Sequence, residues 1–68
     1  MIPKGYITEL KIGDKIKIRY GFSKIYNATV INHFYLAQTI ELKIHKGLFY
    51  EKRLYDYSAL QQVILEKQ

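Results

Sequence analysis

Lys15-Ile16-Lys17-Ile18-Arg19-Tyr20 alternates without a fault between charged and apolar side chains. Successive side chains of an extended strand point to opposite faces, so a period of two reads as a half-buried strand rather than a helix. Ile16, Ile18 and Tyr20 are expected to face a core, and Lys15, Lys17 and Arg19 to face water. Thr39-Ile40-Glu41-Leu42-Lys43-Ile44-His45 repeats the pattern, with Ile40, Leu42 and Ile44 inward. Two such runs set the class: a sheet with one dry face and one wet face.

The flanks fit the same reading. Lys11-Ile12-Gly13-Asp14 is a turn into the first strand, with the Asp14 carboxylate placed to accept from nearby backbone N–H groups. Gly21 to Lys24 connects to a β-rich run, Ile25 to Ile31, in which Tyr26, Ala28 and Val30 share a face. The small Ala28 suits a sharply curved strand. Asn32-His33 reads as a bend, and Phe34 to Ala37 fits either strand or turn. Leu48 to Tyr55 is a fourth strand of mixed parity, which suggests a bulge there. Asp56 to Leu60 reads as one helical or 3₁₀ turn, capped by Asp56 or Ser58, before a short last strand at Val63-Ile64-Leu65 and a frayed tail, Glu66 to Gln68. A competing reading is a C-terminal helix over residues 58–68, because Leu60, Val63, Ile64 and Lys67 also fall at helical spacing.

Size and composition bound the rest. The 68 residues make a single small domain over residues 1–68. Cysteine is absent and there are only two histidines, so neither a disulfide framework nor an ordinary zinc site is expected, and no cofactor is implied. No apolar run approaches the roughly 18–20 residues that span a bilayer, so no membrane partner is expected. Met1-Ile2-Pro3-Lys4 shows no apolar leader, which leaves a cytoplasmic location as the default. Chains below about 70–80 residues hold only a few kcal/mol of net stability. A closed, well-packed barrel or a homo-oligomer would meet that need, and seven tyrosines and three phenylalanines supply contact area.

The order of strand, loop, long strand, strand, strand, 3₁₀ turn and short strand resembles an all-β, five-stranded SH3-like or Sm-like small barrel, including Tudor and KOW modules. Three stretches carry the resemblance: Leu10 to Ile18 with its Gly13-Asp14 turn, Ala28-Thr29-Val30-Ile31, and Tyr57 to Val63. Among named families the chain is similar to YolD-like proteins of Gram-positive bacteria and their prophages. Where those carry a Gly and an Asp, this chain has Ala28-Thr29-Val30-Ile31-Asn32-His33-Phe34. The abundance of Ile, Lys and Tyr, which AT-rich codons encode, agrees with a bacterial or phage origin.

Eleven basic residues against six acidic ones leave a net charge of +5, which favours anionic partners. Lys15, Lys17 and Arg19 would stand ~6.5–7 Å apart along one strand face, close to the spacing of phosphates along a nucleic acid strand. Lys43, with His45 beside it, falls on the same surface two strands away, and Lys24 adds a further cation. Tyr26, Tyr35 and Tyr50 are candidate stacking platforms. These residues point to a nucleic-acid-associated binding module of low sequence specificity. The plainer account is a solvated face whose lysines discourage strand-to-strand aggregation, with Glu41 diluting the field. The rival function is a protein-binding adaptor or phage factor directed at a host protein, using a strand edge and Tyr50, Tyr55 and Tyr57. His33 and His45 lack partners at catalytic or metal spacing, and the glycines stand alone, so an enzyme is not expected.

Overall fold

The computed structural model of the chain describes residues 4–67. Its elements run α1 (Lys4–Thr8), β1 (Lys15–Tyr20), β2 (Lys24–Phe34), β3 (Thr39–Lys46), β4 (Phe49–Asp56), α2 (Tyr57–Val63) and β5 (Ile64–Lys67). The five strands form one antiparallel sheet in the order β4-β3-β2-β1-β5. Strands β1 and β3 follow their alternation closely. Ile16, Ile18, Ile40, Leu42 and Ile44 are fully buried, while Lys15, Arg19 and His45 are exposed. Gly21 and Gly47 adopt positive φ in the β1–β2 and β3–β4 hairpin turns, a conformation that costs a residue without Cβ nothing.

The inner face carries the core. Ala28 and Val30 of β2 join the buried residues of β1 and β3, and Ile7, Leu10, Leu60 and Ile64 close over them. Ile7 comes from α1, an element the sequence pattern does not announce, and Leu60 is the buried residue of α2. The Gly13-Asp14 turn is locked as expected. The Asp14 carboxylate accepts from the Lys11 N–H at 2.9 Å, and the turn backbone exchanges two hydrogen bonds with Val30.

Several expectations are corrected. The sheet does not close into a barrel. Strand β4 pairs only with β3, and β5 only with β1. The segment that joins them is a seven-residue α-helix rather than a 3₁₀ turn, about 10 Å long. Asp56 caps it, its Oδ1 accepting from the Ala59 N–H at 2.7 Å. The helix does not run on to the C-terminus, because Ile64 turns extended and pairs opposite Ile18. Glu66 and Lys67 therefore belong to a strand rather than to a frayed tail, while Gln68 and residues 1–3 lie outside the described residues.

The bulge is also elsewhere. Strand β4 pairs with β3 in unbroken register from Phe49 to Asp56. The shift occurs in β2 between Val30 and Asn32, where Ile31 is the extra residue, and again where β1 meets β5. That β2 bulge replaces the expected bend at Asn32-His33 and turns His33 to the inner side, opposite Ile40. Phe34 ends β2, and residues 35–38 form the turn to β3.

Curl stands in for closure. Along a flat sheet β1 and β4 would be about 14 Å apart, three strand spacings. Yet the Tyr20 hydroxyl donates to Glu51 Oε1 at 2.9 Å and accepts from Arg53 Nη1 at 2.9 Å. The sheet must bend strongly for these side chains to meet across its inner side. Lys46 completes the bridge: its ammonium pairs with Glu51 and lies 4.2 Å from the Tyr20 ring centroid.

Candidate functional site

The outer face gathers the basic residues. The pairing register aligns Lys15, Thr29, Lys43 and Lys52 in one row across β1 to β4. The neighbouring row holds Lys17, Asn27, His45 and Tyr50, with Glu66 of β5 at its end. Arg19 stands beside Lys17 on the same face of β1. Of the five residues singled out for nucleic acid, Lys15, Lys17, Arg19 and Lys43 therefore share one surface. Lys24 does not: it pairs opposite Tyr20 at the end of the β1–β2 ladder and follows the inner-side parity. Lys52 takes its place. Sequence reading missed it because Phe49 to Tyr55 shows no clean alternation, and only the β3–β4 register places it opposite Lys43.

Charge on this surface is unevenly compensated. Lys17 pairs with Glu66 at 3.4 Å, an exposed contact of little energetic weight. Glu41 shares the face but is engaged by the Asn32 amide at 2.7 Å. Among the described residues Lys15, Arg19, Lys43 and Lys52 make no ion pair. The Lys43 ammonium instead sits 4.3 Å from the Tyr50 ring centroid.

The structure distributes the tyrosines rather than clustering them. Tyr50 lies on the outer face, 56% exposed, whereas Tyr55 pairs opposite buried Ile40 and packs against the core. Burial raises the Tyr55 phenol above its ordinary range. Tyr57 opens α2 and is also half-buried. Tyr26 packs against the core and Tyr20, and Tyr35 stacks on the His33 ring at 3.8 Å. Of the tyrosines among the described residues, Tyr50 is the one whose ring lies within the basic rows.

The histidines have distinct tasks. His33 Nδ1 lies 2.8 Å from the Leu10 carbonyl, which can only accept, so Nδ1 carries the hydrogen. In the neutral ring Nε2 then accepts from the Tyr57 hydroxyl at 2.6 Å, and His33 ties β2 to α2 and to the segment after α1. His45 lies on the outer face, its Nε2 3.0 Å from Thr29 Oγ1. Lys15, Asn27, Ala28, Thr29 and His45 line a shallow depression. Among the described residues no three His, Asp or Glu side chains gather into a metal-sized group, and no helix is long and apolar enough to cross a membrane. Comparison with protein-family models, with curated proteins and with solved structures returns no significant match.

Proposed function

We propose that the chain is a nucleic-acid-associated binding module that grips phosphates with its outer face and reads little sequence. The supporting observation is the row of Lys15, Lys43 and Lys52 across the sheet, with Lys17 and Arg19 adjoining it. Lysines on a sheet face act as point charges, so affinity comes largely from counterion release. Anisotropy titration with labelled oligonucleotides tests this. If four phosphates are engaged, affinity falls roughly 100-fold between about 50 and 200 mM salt. Lys52→Glu weakens binding to all sequences alike and makes the salt dependence shallower. Absence of binding at about 50 mM salt overturns the reading.

A second reading has its own observation. Strand β4 is paired on one side only, and next to its open edge Leu48 and Phe49 are 97% and 76% exposed. Such an edge can add a strand from a protein partner or from another copy of the chain. That binding would tolerate salt and would be lost in Phe49→Ser, a change the phosphate-binding face should not register. A monomeric mass at high concentration would remove the second copy as the partner.

A further inference from the structure

Resting on the nucleic-acid reading, we propose that the outer face takes a single strand, with one phosphate in the depression beside Thr29 and His45 and a neighbouring base on Tyr50. Three observations carry this. The depression is bounded by two adjacent cross-strand pairs, Lys15–Thr29 and Asn27–His45. Its side chains bring together an ammonium, an amide, a hydroxyl and an imidazole, and no carboxylate lines it. Thr29 and His45 share one hydrogen between them, which leaves the Lys15 ammonium and one further N–H or O–H of that pair to meet phosphate oxygens.

Tyr50 lies in the same row as Asn27 and His45, two strand spacings or about 10 Å from β2. One or two nucleotides of an extended strand cover that distance. The ring is more than half exposed, on an edge strand, and already holds a cation 4.3 Å from its centroid. Stacking on such a ring needs an unstacked base, which a single strand presents and a duplex does not.

The rest of the molecule argues against reading a duplex through its grooves. Reading a groove requires an element that protrudes into it. The three hairpin turns present Phe22, Leu36 and Leu48, all fully exposed and apolar, and no basic helix projects from the described residues. The basic surface is a sheet face instead, with its cations spaced by strand geometry around the Tyr50 ring.

The test is anisotropy at about 50 mM salt with a labelled single-stranded DNA of twelve or so nucleotides, the RNA of the same sequence, and the DNA duplex. Single strands should bind at least about tenfold more tightly than the duplex, and the RNA and DNA arms decide which strand is preferred. Tyr50→Leu should weaken single-strand binding by roughly 5- to 100-fold while leaving duplex binding within about twofold. Thr29→Val keeps the β-branched shape and removes the hydroxyl, so it should lower single-strand affinity by several-fold with the fold intact. Circular dichroism checks that both variants fold. Equal affinity for single strand and duplex, or equal loss of both in Tyr50→Leu, overturns this proposal and leaves the phosphate-binding reading standing. Failure of every nucleic acid to bind overturns both.

Discussion

The inner side of the curled sheet is bridged twice, and by opposite chemistry. At one end Ile7 of α1, Leu10 just after it and Leu60 of α2 cover the inner face beside Ile64 at the start of β5, and these apolar side chains are buried. Towards the hairpin turns Tyr20, Lys46, Glu51 and Arg53 reach across β1 and β4 through hydrogen bonds and ion pairs that stay partly wet. Apolar closure removes area from water and strengthens in proportion to it. Polar closure exchanges water contacts for protein contacts and gains little net energy. The helix end should therefore hold the fold, and the polar bridge should set how far the sheet curls.

The sharpest way to break this comparison is Leu60→Ala. Leu60 is fully buried between α2 and the sheet. Its truncation should cost about 2–5 kcal/mol, lost transfer energy plus the cavity left behind. A domain of this size has only a few kcal/mol to lose. Urea or thermal unfolding should show a chain largely unfolded at room temperature. A loss below about 1 kcal/mol would mean that the helices are not what closes the core.

Tyr20→Phe probes the other end. It deletes the hydroxyl that joins Glu51 to Arg53 and keeps the ring against Tyr26 and Lys46. The expected cost is about 0.5–1.5 kcal/mol, seen as a modest fall in the urea midpoint with the fold retained. A loss as large as that of Leu60→Ala would erase the distinction between the two closures.

This division also explains what could be read from the residues in advance. The apolar alternation of β1 and β3 is a local signal, and Ile16, Ile18, Ile40, Leu42 and Ile44 are all found buried. Leu60 and Ile64 were visible as periodic apolar positions, although helix and strand both fitted them until Ile64 paired with Ile18. Nothing local marks the polar bridge, because Tyr20 and Glu51 are 31 residues apart, Tyr20 reads as a core-facing ring and Glu51 as an ordinary surface residue. The open sheet follows from the same blindness. Periodicity identifies strands but does not say whether the first and last will pair. Lys15, Lys17, Arg19 and Lys43 could be assigned to one face by parity alone. Lys52 could not, since Glu51, Arg53 and Tyr55 put polar and aromatic groups on the inner side of β4, where alternation predicts hydrocarbon.

Acid supplies the finest test of the polar closure. The Glu51 carboxyl is held below the ordinary carboxylate range, chiefly by its hydrogen bond from Lys46, then by the Tyr20 hydroxyl, with the Arg53 charge adding to both. A carboxyl depressed in the folded state stabilises the fold fully above its unfolded pKa, near 4.3, and that contribution is lost as pH falls through the folded value. Lys46 is shifted the other way, upward, by the same hydrogen bond, so its share persists until strongly alkaline pH. Asp14 carries a shift of the same sign as Glu51, from the Lys11 N–H, and will add its own acid dependence near the helix end. Acid unfolding of the parent chain alone therefore mixes the two. The urea midpoint of Glu51→Gln, set against the parent at each pH, separates them, because glutamine resembles the protonated carboxyl and leaves Asp14 untouched. The parent should be the more stable near neutral pH, and the difference should shrink towards pH 3. Ile64→Val, a smaller hydrocarbon truncation at the helix end that leaves a folded chain to unfold, should show a stability difference that hardly changes across that range, since no proton is taken up at a hydrocarbon contact. If the Glu51→Gln difference stayed constant down to pH 3, the bridge would owe nothing to the ionised carboxylate, and the hairpin end would be held by ring packing among Tyr20, Tyr26 and the Lys46 stem instead.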